Sequence, residues 1–178
     1  MLVNPESAVF THCPHCAATT ISSANGHRFV CESCHFEYFH NTATAVAALV
    51  QWQGKLLLTR RARNPGKDML DLPGGFVDHN ESLEEALSRE LQEELALDIS
   101  HWRYVCSRPN TYQYNGITYK TCDCAFEATL SQQPDITVAE DEISELIWAL
   151  PADIRLEDIA FPSIRNLVGG WIAKQQST

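Results

Sequence analysis

Residues 74–97, GGFVDHNESLEEALSRELQEELAL, constrain the fold more than any other stretch of the chain. Two glycines open it and a helical pattern follows. At about 100° per residue, Leu83, Leu87, Glu90 and Glu94 fall within roughly 60° of one another, so a stripe that begins apolar continues as acid. Glu90, Glu93 and Glu94 stand at i, i+3 and i+4 and are neighbours on one helical surface. Carboxylates that close raise one another's pKa unless a hard divalent cation holds them ionised, so magnesium or manganese is the expected occupant. An isolated ExxEE would be read as a solvated acidic face. Here the leucines on the same stripe and the glycine turn before it weigh against that. Asn80 or Asp78 is placed to cap the helix, and the fork of Arg89 can hold a carboxylate in fixed orientation. The paired glycines let the backbone approach a ligand closely.

Four of the seven cysteines form two pairs, Cys13-Pro-His-Cys16 and Cys31-Glu-Ser-Cys34. Four thiolates at that spacing match a closed tetrahedral zinc site; the alternative, two redox motifs, lacks the strand-to-helix context such motifs favour. Asn25-Gly26 between the pairs favours a tight hairpin turn that folds one pair onto the other. His15 and His35 lie beside the ligands, but four cysteines already complete the site. A ribbon of about 40 residues cannot build a sufficient core, so zinc is expected to supply its folding free energy. Phe36, Tyr38 and Phe39 are expected to pack the ribbon against the rest of the chain, with base stacking as the alternative. Cys106, Cys122 and Cys124 are most simply sheet or core residues.

Beyond the ribbon, apolar runs around 45–50 and 55–59, extended segments at 101–109 and 117–130, and a short strand at 145–149 surround the acidic helix. Residues 151–158 and 163–174 are expected to be helical, with Ser163 as a cap. This order indicates an α/β sandwich with a mixed sheet over residues 41–178, preceded by a zinc-ribbon hairpin module over residues 1–40. Arg60, Arg61, Arg63 and Lys67 lead into the glycine turn, either as phosphate-facing side chains or as a solvated loop. With 13 basic and 23 acidic residues the net charge is −10, which disfavours extensive contact with nucleic acid or an anionic membrane. No basic leader and no run of about 18 apolar residues is present, so a cytoplasmic protein is expected.

Gly75, Glu81 after five residues, Arg89-Glu90 after seven more, then Leu91, Glu93-Glu94 and Leu97 resemble the Nudix box, with alanine at 96 where the family has glycine. The resemblance implies a Nudix hydrolase, an α/β/α sandwich that cleaves a diphosphate linkage in a nucleoside diphosphate derivative. It implies Glu90 and Glu94 as principal magnesium ligands, the carbonyl of Gly74 as a backbone ligand, and Glu93 as a further ligand or a water-orienting base. Glu81 and Arg89 would hold loop and helix together. In several subfamilies the base lies in a later loop, which singles out Glu140-Asp141-Glu142 and, among them, Glu142.

A four-cysteine ribbon ahead of such a domain resembles the NADH pyrophosphatase group, whose downstream SQPW-type motif is reduced here to Ser107 and Pro109. The expected substrates are therefore ADP-ribose-like molecules or dinucleotides such as NADH or FAD. Arg61, Arg63, Gly75, Tyr112 and Tyr114 are the substrate-binding candidates. The tyrosines, with Tyr119, could stack on a base or simply pack across a hairpin. Two alternatives stand beside this: an enzyme removing 5′-end RNA caps, and a non-catalytic ligand-sensing domain. A homodimer would suit the family.

Overall fold

The computed structural model describes residues 10–23 and 26–176. By contact it divides into two units, one comprising the residues up to Thr42 with Thr111–Lys120, the other Ala43–Asn110 with Thr121–Thr178.

The first unit carries a three-stranded antiparallel sheet of β1 (Ile21–Ser23), β2 (Arg28–Cys31) and β3 (Glu37–Phe39). Gly26 takes a positive φ of 79° after β1, and its N–H donates to Ser23 Oγ. Asn25, expected to share that turn, lies outside the described residues. Among the described residues of this unit the buried hydrophobic ones are Cys13, Phe29 and Cys31, a core too small to stand without another source of stability. The third strand comes from the aromatic run. Phe36, Tyr38 and Phe39 each keep a third or more of their surface exposed, and Tyr38 packs within the ribbon on Phe10 and Phe29. The hairpin tip assigned to this unit contributes Tyr119, whose ring meets His40 edge-on at 5.9 Å.

The second unit is built on β4 (Ala43–Trp52), which runs parallel to β8 (Ile117–Thr129) through a register from Ala43↔Thr121 to Gln51↔Thr129. Gln53-Gly54, both at positive φ, turns the chain into β5 (Lys55–Arg61). β6 (Leu70–Asp71) and β9 (Ile143–Ala149) both pair antiparallel with β5. β7 (Arg103–Tyr114) lies beside β8, giving a mixed sheet in the order β6-β5-β4-β8-β7.

Successive residues of a strand face opposite ways, and in β4 that alternation makes three layers. Val46, Ala48 and Val50 pack with Leu87, Leu91 and Leu95 of α1 (Leu83–Leu95). Ala47 and Leu49 pack with Ile164, Leu167, Val168 and Trp171 of α2 (Pro162–Gln175). The expected α/β/α sandwich with a mixed sheet, and a separate small sheet bearing the cysteines, is the architecture found.

Three local expectations are revised. The cap of α1 is Ser82, not Asn80 or Asp78: Ser82 and Glu85 form a reciprocal capping box, with Glu85 N–H donating to Ser82 Oγ and Ser82 N–H to Glu85 Oε2. Residues 151–158 form two 3₁₀ turns, Pro151–Asp153 and Leu156–Asp158, with extended backbone at Ile154 and Arg155 between them. Ile154 and Leu156 both pack on the α2-side core, and on a helix two residues that far apart in sequence would diverge. Ser163 does not cap α2, which begins behind Phe161; its hydroxyl donates instead to Asp123 Oδ2 at 2.5 Å, while Thr121 Oγ1 donates to Asp123 Oδ1 at 2.6 Å.

Ala96 ends α1 in the left-handed region, φ 51° and ψ 32°, with Leu97 N–H reaching back to the Leu91 carbonyl. This is the place where glycine has no steric penalty. Ala96→Gly is expected to stabilise the protein by about 1 kcal/mol. A fall in melting temperature for that variant would contradict the account of the helix end.

Candidate active site

The glycine turn is held as an extra edge against β4. Ala48 N–H donates to the Pro73 carbonyl at 2.9 Å, Val46 N–H to Gly75 at 2.8 Å, and Val77 N–H to Thr44 at 3.0 Å. Gly74 adopts φ 138°, and a Cβ there would be driven into the Val46 carbonyl. At Gly75 a Cβ would lie 2.5 Å from the Glu90 carboxylate. The first glycine therefore lets the turn lie on the strand, and the second leaves room for a carboxylate behind it. Gly74→Ala is expected to cost several kcal/mol, because the obstacle is backbone and cannot rotate away. A denaturant midpoint within error of the parent would show that the turn is not held this way.

Against this turn α1 presents its acids. Gly74 N–H donates to Glu94 Oε2 at 3.0 Å. Arg89 fastens loop to helix: Nε and Nη2 donate to the two oxygens of Glu81 at 2.7 and 3.0 Å, Nη2 also reaches the Phe76 carbonyl, and Nη1 reaches Glu90 at 2.8 Å and Glu93 at 3.2 Å. Glu81 is held below the ordinary carboxylate range by that guanidinium and by the Asp78 N–H. Arg89 thus ties Glu81 and the Phe76 carbonyl to the helix that carries Glu90 and Glu93.

Glu90 and Glu94 are in the opposite condition. Burial raises both, and Glu94 is pushed up to about 8, with the charges of Glu90, Asp71 and Glu142 adding to the effect and only the Gly74 N–H opposing it. Desolvated oxygen ligands of one sign, beside a glycine backbone, make a donor set suited to a hard divalent cation. With its carboxyl raised to about 8 in the metal-free site, Glu94 would give up a proton to such a cation near pH 7. Affinity for Mn²⁺ or Mg²⁺ should therefore climb as pH rises toward 8 and level off above about 9, with a proton released per ion at pH 7. Calorimetry in buffers of different ionisation enthalpy measures that proton, and a pH-independent affinity would remove the assignment.

The later loop is tied to the same helix end. Ala139 N–H donates to the Glu94 carbonyl and Thr137 N–H to Leu95, and Glu142 follows as the chain enters β9. Glu142 accepts from Arg63 Nη2 at 2.5 Å. Arg61, a candidate phosphate ligand, is engaged elsewhere: Nε donates to the Pro65 carbonyl, Nη1 to Asp71 Oδ2 at 2.7 Å, and the guanidinium lies 5.0 Å from the centre of the Phe161 ring. Tyr112 and Tyr114 are 6.4 Å apart and belong to the ribbon's unit rather than to the unit holding the carboxylates.

Asp71 was not anticipated. It is buried, pushed up to about 6 by desolvation against the pull of Arg61, and its charge acts on Glu94. The signal available was an acid inside the otherwise apolar Leu70–Leu72, immediately before Pro73-Gly74. Phe76, directly after the glycines, carries an exposed ring, and its carbonyl accepts from Arg89.

In the ribbon the four cysteine sulfurs lie within 4.8 Å of one another, and this is the cluster of its kind among the described residues. Cys13 to Cys34 is 3.7 Å and Cys16 to Cys31 is 3.6 Å. Sulfurs about 2.3 Å from a common tetrahedral centre are about 3.8 Å apart, so the four fit zinc. Each pair closes on a left-handed residue, Ala17 and His35, whose N–H returns to the carbonyl of the first cysteine. The backbone N–H groups of Cys34 and Ser33 lower the Cys31 thiol, while the neighbouring sulfurs and burial push Cys34 up, as expected of four thiols crowded together with no cation among them.

Residues 40–168 match the family model for the NUDIX domain. The NAD-capped RNA hydrolase NudC of Escherichia coli O157:H7 is 26% identical over 162 residues, which is 91% of this chain but 60% of that protein. The chain thus spans about three-fifths of the length of that curated relative. A NUDIX hydrolase from Nitrosomonas europaea superposes with a TM-score of 0.63 at 23% identity, covering 94% of this chain and 93% of that one. The NUDIX domain of Shewanella oneidensis NrtR, solved in complex with ADP ribose, gives 0.62 at 25% identity over 79% of this chain and 91% of its own.

Proposed function

The chain belongs to the Nudix family, and from that we propose that it is a divalent-metal-dependent hydrolase of the diphosphate linkage in a nucleoside diphosphate derivative. The substrate class is ADP-ribose-like molecules or dinucleotides such as NADH or FAD, yielding a nucleoside monophosphate and a second phosphorylated product. The observation that carries this is the pair Glu90 and Glu94, desolvated and turned toward Gly74 and Gly75. The complex of the NrtR domain with ADP ribose supports the substrate class.

Glu90 and Glu94 would hold the ion, joined by the Gly74 carbonyl and by Glu93, the most exposed of the three helix acids. Bound there, a divalent cation neutralises diphosphate charge and makes water a better nucleophile. The chain's own residues do the rest. Arg89 fixes the position of Glu90, Gly75 leaves room for the Glu90 carboxylate against the turn, and Glu142 accepts the proton of the attacking water. Glu93 is the second candidate for that base.

The NudC relatives, by name NAD-capped RNA hydrolases, favour one further reading: the same linkage cleaved at an RNA 5′ end. The net charge of −10 limits contact with the RNA body but not with its first nucleotide. A magnesium- and manganese-dependent screen of ADP-ribose, NADH, FAD and 5′-NAD-RNA, with both products identified chromatographically, tests both. Products paired as AMP with ribose 5-phosphate, NMN or FMN identify the small-molecule substrate. No hydrolysis anywhere in the panel would leave the chain as a ligand-sensing domain.

A further inference from the structure

The basic cluster ahead of the glycine turn divides by how firmly each guanidinium is held. Arg60 donates to Glu145 and to the Asp68 carbonyl. Arg61 has Asp71, the Pro65 carbonyl and the Phe161 ring, and only a fifth of its side chain is exposed. Arg63 pairs with Glu142 and keeps 59% of its side chain exposed. That pair closes the end of the β5–β9 ladder, where Ala62 N–H donates to the Glu142 carbonyl just past a bulge at Arg60/Arg61. The partners are 79 residues apart in sequence, so the fold and not local chain geometry brings them together. Glu142 is near enough for its charge to act on both Glu90 and Glu94.

We propose that Arg63 serves two anions in turn, holding the Glu142 carboxylate while the site is empty and passing to the substrate's diphosphate on binding, which leaves Glu142 free to take a proton. This rests on the function proposed above, with Glu142 as base. An exposed ion pair contributes little to stability, so a dianionic ligand beside it competes readily for the guanidinium. The base is then released only when a diphosphate has arrived. Arg63 is on this account a substrate-binding and positioning residue.

The test is calorimetric binding of an α,β-methylene analogue of ADP-ribose, with magnesium, to the parent, Arg63→Gln, Glu142→Gln and the double variant, beside steady-state kinetics of the singles. Arg63→Gln should weaken the analogue about tenfold, and its loss in kcat/KM should fall mainly on KM. Glu142→Gln should bind the analogue about threefold tighter, since it no longer competes for the guanidinium, and the double variant should show no such gain over Arg63→Gln. Arg63→Lys should recover part of the affinity, which separates a charge effect from misfolding. Unchanged analogue affinity in Arg63→Gln overturns the proposal, whether kcat falls, as for a guanidinium that stays on Glu142, or holds, as for a surface pair. An equal gain from Glu142→Gln with and without Arg63 also overturns it, as simple charge removal. A parent that binds the analogue but hydrolyses nothing overturns the function proposed above, and the binding cycle still decides the exchange.

Discussion

Glu94→Gln is expected to abolish turnover, by about a thousandfold or more, while the protein remains folded. The side chain lies against the Gly74 N–H at the helix end, and an amide can keep that contact through its own oxygen. What it cannot do is carry the charge that a divalent cation requires, and loss of such an ion removes several kcal/mol of transition-state stabilisation. Stability should move the other way. A carboxyl whose folded pKa is raised to about 8 from an ordinary 4.5 weakens the metal-free protein progressively as pH rises through that interval. The glutamine variant has no such slope. Its metal-free melting temperature should match the parent at pH 5 and exceed it at pH 8.5, while retained turnover would sink the metal assignment.

Loss of the zinc proposed for the four cysteines is the second large expected effect. Cys31→Ser, or a strong chelator, should unfold the ribbon, because among its described residues the buried hydrophobic ones are two of the cysteines themselves and Phe29. The larger unit has separate cores on both faces of its sheet and should stay folded. Amide exchange reads the two apart: protection at Phe29–Cys31 should be lost while Val46–Val50 remain protected. Uniform loss in both would mean that the chain unfolds as one body.

Legibility in the sequence followed the kind of constraint. Spacing rules survive without tertiary knowledge, so the cysteine pairs and the stripe from Leu83 to Glu94 could be located before any coordinates. So could the awkward alanine at 96, since a left-handed helix end is a local property. The true cap, Ser82 with Glu85, is equally local, but Asp78, Asn80 and Ser82 are all capping residue types, and it is the reciprocal bond with Glu85 that distinguishes Ser82. What sequence could not supply was partner choice among like residues. Arg61 and Arg63 are two positions apart, yet one is taken up by Asp71 and Pro65 and the other by Glu142, a difference set by strand register and a bulge. Asp71 was hidden for the same reason: its burial depends on the sheet formed around it.

The position of β4 has a consequence for how chains of this design can change in length. Its two faces serve the two helices, one edge is matched to β8 over its length, and the other carries the glycine turn opposite Val46 and Ala48. One residue added or removed within Ala43–Trp52 would reverse its facing and slide Gly74 along the strand, away from Glu94. The connection at 131–135, ahead of the Thr137 and Ala139 bonds to the end of α1, is under no such constraint of register. Insertions and deletions should therefore be tolerated there, and not at 62–69 or 137–142, where backbone bonds keep Arg63 and Glu142 in register with each other and with the end of α1.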